Sequence, residues 1–140
     1  MIEPRTDPRR ILLVDDESTV RRFAARVLLE EGYVVEEATD GAEALVRVRA
    51  DGPAVDVVVS DVVMPRLNGV ELLQALNALR PALPVILMSG YAAVQLAGMG
   101  IATPCGMLAK PFSGERLIEE VRRCLTDGDP MVLGSSEHSN

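Results

Sequence analysis

Tryptophan is absent from the 140 residues, histidine occurs once, and tyrosine, phenylalanine and cysteine occur twice each. The one histidine, His138, lies in a polar terminal stretch, so neither a phosphohistidine nor a metal role rests on it. Such a chain is not a histidine kinase in its own right. Cys105 and Cys124 form no CxxC pair and stand among apolar residues, where reduced, packed thiols in a reducing cytoplasm are the expectation. Positive charge is in deficit: 14 Lys and Arg against 21 Asp and Glu give a net charge of −7. That sign opposes direct binding of nucleic acid. Apolar runs fall far short of the ~20 residues that a membrane helix needs, and the first ten residues (MIEPRTDPRR) are charged, so neither a membrane span nor a signal peptide is expected. The nucleotide-binding pattern GxxxxGK[ST] is missing too.

What is present is a soluble composition, 48% hydrophobic and 25% charged, close to the average for one globular domain. Short β-branched runs alternate five times with amphipathic stretches, which predicts an α/β fold around a parallel sheet. The expected strands are Ile11 to Val14, Tyr33 to Glu37, Val55 to Ser60, Val85 to Met88 and Met107 to Ala109. ILLV, VVVS and VILM lack polar alternation, as suits strands covered on both faces. Tyr33 to Glu37 is more polar and belongs at a sheet edge.

Apolar residues at helical spacing (Val20, Phe23, Ala24, Val27, Leu28) predict a first helix that Gly32 stops, with Arg21, Arg22 and Arg26 on other faces. Ala42 to Ala50 and Val70 to Arg80 are expected as the second and third helices. A last one carries Leu117, Val121 and Cys124 behind Ser113 as N-cap. The stretch from Ala92 to Cys105 holds two glycines and a proline and predicts a short or loose fourth helix. Residues 1–8 and 127–140 read as flexible tails flanking a domain at 9–126.

In parallel α/β sheets, ligands bind beyond the carboxyl ends of the strands. Here the first strand runs into Asp15 and Asp16, the third into Asp61, the fourth into Ser89 and the fifth into Lys110. An acidic pair ahead of a helix also suits the macrodipole, but that role would require neither Asp61 nor Lys110. Unit charges about 5 Å apart repel by roughly 3 kcal/mol at an effective dielectric of 20, so three gathered carboxylates call for a cation. Mg²⁺, a hard ion that keeps open positions for water and phosphate oxygens, meets that need. Lys110 and the Ser89 hydroxyl suit phosphate oxygens, and Asp61 is the candidate nucleophile of phosphoryl transfer.

The runs ILLVDDE, VVSDVVMPRLNG, ILMSGYA and LAKPF, in that order, resemble the receiver domain of bacterial two-component response regulators. The LMSGYA stretch is most similar to receivers of hybrid sensor histidine kinases. The resemblance implies a three-layer, doubly wound (flavodoxin-like) fold with five parallel strands in the order 2-1-3-4-5. It implies Asp61 as phosphoacceptor, forming 4-aspartylphosphate, with Asp15, Asp16, Asp61 and the Val63 backbone carbonyl as the Mg²⁺ site. Ser89 takes the place of the hydroxyl switch residue and Lys110 that of the family lysine. Met107 stands where the family usually carries Tyr or Phe. Tyr91, two residues past Ser89, either covers the site or packs its loop.

The function implied is a cytoplasmic phosphoacceptor switch, not an enzyme beyond its own phosphorylation and dephosphorylation. Its partners would be a histidine kinase or histidine phosphotransfer protein and a downstream protein target. A C-terminal receiver fragment of a hybrid sensor histidine kinase and an unphosphorylated docking pseudo-receiver are the alternatives. An aspartyl-phosphate phosphatase would carry a second Asp two residues after its nucleophile, where this chain has Val63. A flavodoxin-type cofactor loop would not begin DDES, which repels anions.

Overall fold

The computed structural model describes residues 7–90 and 103–127. Among these residues five strands and four helices follow in the order β1 (Arg10–Val14), α1 (Ser18–Glu30), β2 (Val34–Ala38), α2 (Gly41–Arg49), β3 (Val57–Asp61), α3 (Gly69–Leu79), β4 (Val85–Ser89), β5 (Gly106–Ala109) and α4 (Gly114–Asp127). All strands pair in parallel in the order β2-β1-β3-β4-β5. The polar strand β2 is an edge, as expected. Strands β2, β3 and β4 each end one residue later than expected, so that Asp61 closes β3 and Ser89 closes β4. The fourth-helix expectation falls on residues 92–105, of which 92–102 lie outside the described residues, as do Tyr91 and most of both tails.

Successive strand residues point to opposite faces, which divides the apolar runs between two cores. Leu12, Val14, Val58 and Leu87 pack with Leu72 and Leu76 of α3 and Ala44 of α2. Ile11, Leu13, Val59 and Met88 pack on the other side with Leu28 of α1 and Leu117 and Val121 of α4. Each such side chain, taken fully out of water, contributes about 1.5–3 kcal/mol. This two-sided burial makes unbroken apolar strands stable in the interior.

Helix ends follow local chemistry. At the end of α1, the Tyr33 amide donates to the Leu28 carbonyl and the Gly32 amide to the Leu29 carbonyl, a reversal that places Gly32 at φ 101°. Asn68 and Glu71 form a reciprocal capping box at α3. Asp40 caps α2 by accepting from the Glu43 amide, and the Ser113 hydroxyl accepts from the Arg116 amide at α4.

The cysteines require a correction. Expected as reduced thiols, Cys105 and Cys124 are joined in a disulfide. Cys105 directly precedes β5, and Cys124 lies on the buried stripe of α4 that packs against this part of the sheet, which brings their Cα atoms to 6.0 Å. Only tertiary packing makes them neighbours. A cross-link closing a loop of this length is worth about 3 kcal/mol through the unfolded chain. Reductant should therefore lower the melting midpoint of the wild-type chain, and Cys124→Ser should melt identically with and without it.

Candidate functional site

The strand order reverses between β1 and β3, so the crevice of this fold opens where those two strands end. Asp15 and Asp16 follow β1 and Asp61 ends β3. One carboxylate oxygen from each lies within 4.8 Å of the others. Asp15 and Asp61 are buried and Asp16 is exposed. The pairing of β1 with β3 thus brings together residues that the sequence separates by more than forty positions.

Lys110 reaches this cluster from the end of β5. Its Nζ stands 3.3 Å from Asp15 Oδ2 and 3.2 Å from Asp61 Oδ1. The strand end is itself anchored, because the Lys110 amide donates to the Ser89 carbonyl at 2.9 Å. The Lys110–Pro111 peptide is cis. Burial, joined by the negative charge of Asp15, pushes the Asp61 carboxyl above its ordinary value, and the Lys110 ammonium offsets only part of that rise. Burial alone would lower the Lys110 pKa, but the two facing carboxylates outweigh it and the value is raised. The result is a crowded, charged pocket with one ammonium shared by two carboxylates.

Around Asp61 the backbone is tightly drawn. The Val62 amide donates to Asp61 Oδ1 at 2.9 Å, and the Gly69 amide donates to the Val62 carbonyl at 2.8 Å. A Cβ on Gly69 would stand 2.2 Å from the Asp61 carbonyl oxygen, so only glycine permits this approach. Val63, two residues past Asp61, sits on the loop so formed with its side chain exposed. Ser89 is buried at the end of β4, next to β3. Met107 is half-buried against the core between the sheet and α2 and α3. Phe112 packs near Phe23 of α1 with ring centroids 6.3 Å apart.

The acidic pair does not serve as the helix cap: Glu17 is the N-cap of α1 and makes no side-chain cap bond. Asp15 instead accepts the Glu17 amide at Oδ1 (2.9 Å) and Lys110 at Oδ2. Arg21 also belongs to the site. The sequence places it merely on a non-core face of α1, yet its Nη1 donates to the Asp15 backbone carbonyl at 2.7 Å and its Nε to Glu37 Oε1 at 2.8 Å. The only signal in the sequence is position: Arg21 lies one helical turn past Glu17, on the turn of α1 nearest the acidic pair.

Among the described residues no helix is long and apolar enough to cross a membrane. Residues 11–122 match the family model of the response regulator receiver domain. Over 120 residues, 85% of this chain and 13% of the relative, the sequence is 42% identical to sensor kinase CckA of Brucella abortus. It is 39% identical over 125 residues to response regulator MprA of Mycolicibacterium vanbaalenii, covering 88% of this chain and 53% of that protein. The chain therefore spans about half, or less, of these relatives.

Solved receiver structures match over most of this chain. A CheY-like receiver domain protein of Methanospirillum hungatei aligns with a TM-score of 0.79 at 28% identity, covering 87% of this chain and 97% of that one. Response regulator TrrA of Thermotoga maritima, solved in complex with Mg²⁺ and BeF, aligns at 0.73 with 29% identity, over 83% and 98%. With a matching family model, a five-stranded sheet in the order 2-1-3-4-5 and an acidic cluster at its switch point, this chain belongs to the response regulator receiver domain family of two-component signalling.

Proposed function

We propose that Asp61 is the phosphoacceptor. It takes the phosphoryl group from the phosphohistidine of a histidine kinase or histidine phosphotransfer protein. The change then switches binding to a downstream protein or passes the group onward. The observation that carries this reading is the position of Lys110 Nζ between Asp15 and Asp61, in a cluster where three carboxylates converge.

The donor set fits a hard divalent cation. Its side chains offer three carboxylates, fewer ligands than a closed cage would need, which is the character of Mg²⁺ sites completed by a backbone carbonyl, water and phosphate. Asp15, Asp16, Asp61 and the Val63 carbonyl would hold it. Bound there, Mg²⁺ neutralises charge on the transferring phosphoryl oxygens. The Thermotoga relative was solved with that ion and a fluoroberyllate, which supports the assignment by analogy.

The chain's own residues then act as follows. An Asp61 carboxylate oxygen attacks phosphorus as the P–N bond to the donor imidazole breaks, and the leaving nitrogen takes up a proton. Lys110 pairs with a phosphoryl oxygen, and the Ser89 hydroxyl donates another hydrogen bond, roughly twice as strong as one between neutral groups. Met107, unbranched, fills space behind Ser89 without a ring flip. Small phosphodonors would load Asp61 without a kinase, and hydrolysis of the acyl-phosphate would reset it. The same reading places the domain in the cytoplasm, where thiol reductants act on bridges such as Cys105–Cys124.

Labelling by acetyl phosphate tests this. Uptake is expected with Mg²⁺ and is expected to vanish in excess EDTA. Undiminished uptake in EDTA would remove the cation from the scheme, and no uptake under any condition would favour a docking module. Asp16→Ala should weaken Mg²⁺ binding about tenfold, the low end for a lost metal-site interaction. An unchanged Mg²⁺ titration would assign the ion to Asp15 and Asp61 instead.

A further inference from the structure

The peptide bond that joins Asp15 to Asp16 connects two of the three clustered carboxylates. Its carbonyl belongs to Asp15, and Arg21 Nη1 donates to that oxygen at 2.7 Å. The same guanidinium is fixed from its other side by Glu37 near the end of β2, Nε to Oε1 at 2.8 Å, and the Arg21 side chain is only 14% exposed. Asp15 is otherwise pinned on every side: its amide donates to the Ala38 carbonyl, its Oδ1 accepts the Glu17 amide, and its Oδ2 accepts Lys110. Asp16 is exposed and makes none of these bonds, so the peptide before it is what fixes the point from which its side chain reaches toward the cluster.

We propose that Arg21, anchored by Glu37, is a positioning residue of the cation site: it fixes the Asp15–Asp16 peptide so that both carboxylates address one divalent ion. The proposal rests on reading Asp15, Asp16 and Asp61 as that site. Arg21 touches neither the ion nor the phosphoryl group. Its planar fork suits the task, because one nitrogen holds the Asp15 carbonyl while another is held by the Glu37 carboxylate.

Charge and geometry make opposite predictions here. As a mere nearby cation, Arg21 repels Mg²⁺, and deleting it would tighten binding. As a positioning residue, it presents Asp16 correctly, and deleting it weakens binding.

The experiment is calorimetric titration of the full chain with Mg²⁺ alone, without phosphodonor, paired with melting in metal-free buffer. Arg21→Ala is expected to lower Mg²⁺ affinity about tenfold, as loss of a group that orients a metal ligand does. Arg21→Lys keeps the charge but not the fork and should recover only part of that loss. Glu37→Gln weakens the anchor without touching Arg21 and should lower affinity several-fold; it serves equally if Arg21→Ala fails to fold. Unchanged or tighter Mg²⁺ binding in Arg21→Ala, or unchanged binding in Glu37→Gln should Arg21→Ala not fold, overturns the positioning role. A wild-type chain that binds no Mg²⁺ would overturn the cation-site reading itself, and this role with it.

Discussion

Asp61→Asn is expected to reduce phosphoryl uptake from acetyl phosphate to background while leaving a folded protein. The variant keeps the shape of the side chain and removes only the nucleophilic carboxylate. Intact-mass measurement after exposure to the donor with Mg²⁺ reads the result, and retained label would move the acceptor role to Asp15 or Asp16. The same variant should be more stable than the wild type in metal-free buffer at neutral pH. The Asp61 carboxyl has its pKa raised by burial and by Asp15, so its charged form costs stability in the fold. Below the ordinary Asp value the group is protonated in both states and costs nothing. As pH rises from that ordinary value to the raised folded one the cost builds, so the advantage of Asn should grow over that window and then hold. A difference between the variant and wild-type melting midpoints that is the same at pH 3 and pH 7 would contradict this.

Lys110→Ala carries the second large effect. The Lys110 side chain is 21% exposed, and its ammonium bridges two carboxylates that are nearly shut off from water. Its removal leaves them facing one another, a loss of about 3 kcal/mol, the lower end for breaking a buried ion pair. Mg²⁺ should restore part of this stability, because a divalent ion supplies the missing charge. The pKa of Lys110 is raised, so its contribution is complete below the ordinary lysine value and fades only as pH climbs through the folded one. The deficit should therefore be level across neutral pH and shrink in strong alkali. Phosphorylation of Asp61 should survive in this variant, but the phosphorylated form should bind a partner no differently from the unphosphorylated one. Wild-type partner response in phosphorylated Lys110→Ala would remove Lys110 from the switch.

The helices and strands were legible because each rests on local pattern. Unbroken apolar runs marked buried parallel strands, polar Tyr33 to Glu37 marked an edge, and Gly32 and Ser113 marked helix ends that the structure places there. The acidic and basic residues of the site were legible for a related reason. In a parallel sheet every strand delivers its last residues to the same rim, so the order of elements is enough to gather Asp15, Asp16, Asp61, Ser89 and Lys110 on one side.

What the sequence determined by itself, then, is the alternation of elements, the double-sided core and the residue types at the rim. Each of these follows from spacing along the chain. Only the tertiary structure decided which groups meet at bonding distance. It set Lys110 between two particular carboxylates, turned Arg21 from an outer helix face onto the Asp15 carbonyl, and brought Cys105 against Cys124 in a bridge where reduced thiols were expected. These contacts join residues on different elements, and hydrophobic periodicity says which face of an element is buried but not which side chain of another element lies opposite it.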